Sequence, residues 1–151
     1  MYRAEVLLAS AAANAELLGS ADAELAAAEK GLRALGSAGS LQLPRVLLDR
    51  AEIAVAMKHW ELAAGRAAEA RALFAVLSAP DGWGLAACDA VSAQIDLARG
   101  KRDGVQARFD SAAQRLAVSL GADHPRTRHA HALAAETAVD TSTIAARRDG
   151  S

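Results

Sequence analysis

Three histidines, His124, His129 and His131, crowd the C-terminal third of the chain, and histidine clusters are a common source of zinc ligands. A metal needs its donors to converge. Residues 129 and 131 lie on different faces of a helix, because neighbours on one face are three or four apart. No cysteine or paired carboxylate nearby completes a tetrahedron. The spacing therefore predicts no metal and no cofactor. Cys88 is the only cysteine, so no internal disulfide forms, which fits a reducing, cytoplasmic setting. It stands at helical spacing with Val91 and Ile95, and reads as a packed thiol rather than a nucleophile. The run Gly100-Lys101-Arg102-Asp103-Gly104 places two glycines around a lysine, but it joins two helical segments without the strand a phosphate loop requires. With no Gly-x-Ser-x-Gly elbow and no His-Glu-x-x-His, the chain is predicted not to be an enzyme.

The elements that position these residues follow from composition. Hydrophobic residues make up 52% of the 151 residues but aromatics only 3%, so the core must be built from Ala, Leu and Val. Alanine is the best helix former and lets helices approach closely. A chain this poor in β-branched runs and aromatics argues against sheets. Net charge is −1, with acidic and basic residues interleaved, which leaves no overall electrostatic footprint for nucleic acid. Arg3 and the apolar run Val6-Leu7-Leu8 resemble a signal peptide superficially, but Glu5 and the continuation into Glu16-Leu17-Leu18 favour a first helix. No apolar run reaches the roughly 18 residues needed to span a membrane.

Glycine and proline punctuate the chain at Gly19-Ser20, Gly36 to Gly39 with Pro44 beyond, Lys58-His59, Pro80 to Gly84, Gly100 to Gly104 and Gly121 to Pro125. Between them, apolar spacing near three and four predicts seven helices: 3–18, 22–35, 43–57, 60–77, 83–98, 102–120 and 125–139. Residues 141–151 read as a frayed tail. Short turns alternate with longer loops, so the helices pair as 3–35, 43–77 and 83–120, with 125–139 as a cap. Sliding residues 47–78 by 42 positions sets Ile53 on Ile95, Ala63 on Val105, Arg66 on Arg108, Ala70 on Ala112, Phe74 on Leu116 and Val76 on Val118. These are mainly small or apolar residues, expected on the packing face of the second helix of each pair.

The motif Leu120-Gly121-Ala122-Asp123-His124-Pro125-Arg126-Thr127, together with the turn Lys58-His59-Trp60 and the small residues Ala63, Ala70, Val105 and Ala112, resembles the 42-residue tetratricopeptide repeat of the kinesin-light-chain type. Arg102 in an aromatic place, and Pro80-Asp81-Gly82-Trp83 where a second Asp-His-Pro is due, depart from that pattern. The motif also has its own physics. Gly121 suits a left-handed helix end and Pro125 a helix start, with Asp123 and His124 as acceptors for exposed amides. The resemblance implies an all-α fold: one domain over 1–140, antiparallel helix pairs stacked as a right-handed superhelix of about 3.5 repeats.

By the same resemblance, the first helices of successive pairs line a concave groove that binds a partner protein or peptide. The groove candidates are Arg45, Asp49 and Glu52 on the first, Asp89 and Asp96 on the next, and His129 and Glu136 on the last. The stripe is mildly acidic and predicts a basic or hydrogen-bond-donating partner. Trp60 is expected in the core, and Trp83 either packs between repeats or stands partly exposed as an anchor for a partner. A start inside a helix, without a cap, leads to the expectation of a segment of a larger bacterial regulatory or signalling protein that could dimerise through exposed terminal helices. Two other readings stand beside this one: a closed helical bundle that dimerises or binds a small ligand, and a nucleic-acid-binding helical repeat.

Overall fold

The computed structural model describes residues 15–77 and 82–149, with side chains as far as residue 140 and at residues 142–144. The elements are α1 (Ala15–Ala34), a short 3-10 turn (Gly36–Gly39), α2 (Leu43–Ala56), α3 (Trp60–Leu77), α4 (Trp83–Ala98), α5 (Val105–Leu120) and α6 (Pro125–Asp149). The described residues are thus all-α, with six α-helices and no strand. Each helix packs on its successor, and α2 also packs on α4.

Two expectations are corrected here. The break at Gly19-Ser20 does not exist, because α1 runs through it. Gly19 is exposed and costs a helix interior only about 1 kcal/mol. Leu18, Ala21 and Leu25 continue one apolar face across it, against Ile53 of α2 and Met57 just beyond its end. The predicted helix hairpin over 3–35 is therefore a single helix from Ala15 onward, and residues 3–14 lie outside the description, as do the predicted breaker residues Pro80 and Asp81. At the other end, the tail expected to fray after Asp140 is helical as far as Asp149. No glycine or proline interrupts it, and the Ser142 and Thr143 hydroxyls each donate to the carbonyl four residues back at 3.0 Å.

Alanine builds the closest approaches. Ala51, Ala63, Ala70 and Ala86 are wholly buried where α2, α3 and α4 meet, with Leu47, Leu48, Phe74 and Val91 filling the space between. Trp60 packs, partly buried, against this cluster. A second cluster of Ala93, Val105, Phe109 and Ala134 joins α4, α5 and α6. Gly84 permits the packing of Phe74, because a Cβ there would meet its ring at 2.5 Å.

The 42-residue offset reappears in the backbone. Lys58, after α2, has φ 60°, and Gly100, after α4, has φ 79°. His59 N–H donates to the Ala54 carbonyl at 2.8 Å and Lys58 N–H to Val55 at 2.9 Å; Lys101 N–H donates to Asp96 at 2.9 Å and Gly100 N–H to Leu97 at 3.0 Å. This is one and the same left-handed helix-ending motif, made twice. Burial follows the offset too: Ile53 and Ile95, Ala63 and Val105, Ala70 and Ala112, Phe74 and Leu116 are all buried. Val76 and Val118 depart from the expected packing face. They are 84% and 90% exposed, alike in pointing outward.

Candidate functional site

The start of α6 is fixed by the motif that precedes it. Gly121 closes α5 at φ 98°. The His124 ring Nδ1 accepts the Arg126 N–H at 3.2 Å, and the Thr127 hydroxyl donates to the Gly121 carbonyl at 2.9 Å. His124 is therefore a helix cap, which is the structural role its sequence context predicts. The effect is to deliver Arg126, the second residue of α6, into the interior.

Arg126 reaches α2. Its Nε and Nη2 donate to the two Glu52 carboxylate oxygens at 3.0 and 2.9 Å, and Nη2 also donates to Asp49 at 2.5 Å. Its guanidinium carbon lies 5.3 Å from the centroid of the Trp83 ring, at the start of α4, and that of Arg45 lies 5.6 Å from the same ring. Trp83 in turn meets Phe74 edge-on, with ring centroids 5.4 Å apart. One cluster thus ties α2, α4 and α6 together, and it contains three of the predicted residues, Arg45, Asp49 and Glu52. Trp83 is partly buried against Phe74 of α3.

Burial and shared charge set the electrostatics of this cluster. Burial pushes the Asp49 carboxyl up to about 6, against the pull of Arg126 and with the added push of Glu52. Burial also opposes the Arg126 charge, but the Glu52 and Asp49 carboxylates outweigh it and hold that pKa above its usual value. Burial, reinforced by Glu52 and Asp89, pushes the Cys88 thiol up to about 12, so it stays protonated and inert as a nucleophile at neutral pH.

Asp89 and Asp96 lie further along α4, and each is engaged from neighbouring helices. Asp89 accepts from Arg71 and Arg115, both at 2.7 Å. Asp96 accepts from Arg108 at 2.6 Å and Lys101 at 3.3 Å, and the Arg108 bond leads in holding its carboxyl below the usual range. Ser111, Ala107, Ala112, Arg108, Arg115 and Asp89 line a shallow depression there. The carboxylates expected to attract a basic partner are thus engaged within the chain. His129 and Glu136 are exposed on α6, and His131 is exposed as well. Among the described residues, no group of three or more His, Cys, Asp or Glu is arranged to hold a metal ion, and no helix is long and apolar enough to cross a membrane.

The sequence places Arg126 in the motif from Leu120 to Thr127 but gives it no role of its own. The signal available was its place, one residue after Pro125 in a capped helix start; its partners 74 and 77 residues away left no local trace. A second network was also missed, in which Arg50 and Arg66 converge on Asp22 of α1 at 2.8 and 3.0 Å. No family model matches the chain, and no curated protein or solved structure matches it.

Proposed function

We propose that the chain is a tetratricopeptide-like helical repeat whose function is to bind a partner protein or peptide, not to catalyse a reaction. The observation that carries this reading is the repetition, at a 42-residue offset, of the left-handed turns at Lys58 and Gly100 with the same pairs of hydrogen bonds. Repeated helix pairs bury their apolar faces only against neighbours, and the stack leaves an extended surface suited to recognition. In this reading α2, α4 and α6 are the first helices of successive pairs, and they line a concave groove.

The engagement of Asp49, Glu52, Asp89 and Asp96 with arginines refines what the groove recognises. A partner meets alternating, already compensated charge with Arg45 and the Trp83 ring at one end, so shape and hydrogen bonding outweigh net charge in its selection. A cytoplasmic setting and attachment to a larger bacterial regulatory protein belong to the same proposal.

The test is site-specific photo-crosslinking in a lysate of the source organism. A crosslinking residue at Arg45 or Asp89 is expected to capture one discrete protein, and the same residue at Val76 or Val118 is expected to miss it. Capture of the same set of proteins from all four positions would sink the groove assignment.

A further inference from the structure

On α4, Ala86, Ala90, Ala93 and Leu97 form a stripe at helical spacing that the fold covers. The residues 42 positions further on are Arg128, Ala132, Ala135 and Val139 of α6, and all four are exposed, Val139 by 66%. Meanwhile α6 packs on the rest of the chain through Thr127, Ala130, Ala134 and Thr137, on the opposite side of the helix. What α4 covers, wholly at the three alanines and in part at Leu97, α6 presents to water.

We propose that this face of α6 pairs with the same face of a second copy, the two α6 helices running antiparallel about a two-fold axis. Ala132 and Ala135 stand at the centre of the seam, where small side chains allow two helices to approach closely, and Val139 closes each end. The charges select this occupant. His129, Glu136 and Asp140 follow one another along one flank of the seam at spacings of seven and four. In an antiparallel pair, like flanks face each other with their order reversed. His129 of one copy then falls between Glu136 and Asp140 of the other, and Arg128 comes beside Val139 and Asp140. A parallel pair would instead set this flank against the opposite flank of the partner and separate His129 from both carboxylates. Self-complementarity of this kind is what a two-fold interface requires. Asp140, 3.6 Å from Arg102 of its own chain, keeps 65% of its side chain exposed and so remains accessible to a second copy. The inference rests on the 42-residue register and on the residues flanking the seam, and does not depend on the groove reading.

Sedimentation equilibrium of the full chain decides the matter. The wild type is expected to form a dimer, and Val139→Glu and Glu136→Arg are each expected to weaken it by at least about tenfold. Both positions are exposed, so helicity by circular dichroism should not change. Combining His129→Glu with Glu136→Arg should recover the dimer, because it again sets a hydrogen-bond donor against a carboxylate across the antiparallel seam. A wild type that stays monomeric to its highest soluble concentration would overturn the proposal. So would a dimer indifferent to both single changes, or one that the double change fails to recover.

Discussion

Arg126 draws Glu52 and Asp49 together across 74 and 77 residues of chain, and it does so where little water enters. Removing it, as in Arg126→Met, leaves two carboxylates without their cation and is expected to cost about 3–5 kcal/mol in chemical denaturation. Replacing Arg126, Asp49 and Glu52 together with apolar residues of similar volume should recover most of that loss, since a buried ion pair contributes little over a packed hydrocarbon. Asp49 carries a pH signature of opposite sign to an ordinary salt-bridged carboxylate. Its folded pKa of about 6 lies above the ordinary carboxylate value of 3.8, so the folded state holds the proton more tightly. Its contribution is therefore fully present below about pH 4 and is lost as pH rises through about 6, by on the order of 2–3 kcal/mol. Asp49→Asn cannot ionise, so its stability relative to the wild type should grow across that interval. A constant difference between the two proteins from pH 4 to pH 6, read by thermal melts, would contradict the assignment.

At the scale of the element, the two left-handed turns offer an internal comparison, one made with lysine and one with glycine. A side chain at positive φ costs roughly 1–2 kcal/mol, which glycine avoids. Lys58→Gly is expected to raise stability by about 1 kcal/mol, and Gly100→Ala to lower it by a similar amount, both measured by denaturant midpoint. The start of α4 is tighter. A methyl at Gly84 meets the Phe74 ring, so Gly84→Ala should cost about 1–3 kcal/mol. These turns also explain which parts of the fold were readable in the sequence. Lys58-His59, Gly100 and Gly121 to Pro125 mark chain reversals at which the apolar face must stop, and the helices between them lie where spacing puts them. The predicted start of α5 at residue 102 slipped to Val105 because Gly104, at φ 70°, forms the cap. Gly19-Ser20 contains the same residue types without a reversal, and only the continuing contact of Leu18, Ala21 and Leu25 with α2 distinguishes the two cases. The site was half readable for a similar reason. The spacing of Arg45, Asp49 and Glu52 identifies one helix stripe, but which cation closes it depends on how α6 lies against α2.

Across the whole molecule, successive helices pack on one another and α2 also packs on α4, an order that suits growth along a line as well as closure into a bundle. The repeated turns and the repeated burial favour the line. Small-angle scattering of the Val139→Glu variant, chosen so that self-association does not add to the particle, tests this most directly. A curved stack of helix pairs gives an asymmetric pair-distance distribution with a tail toward long distances, and that is the expected result. A symmetric, single-peaked distribution would mean a closed bundle, and would contradict both the helical repeat and the groove built on it.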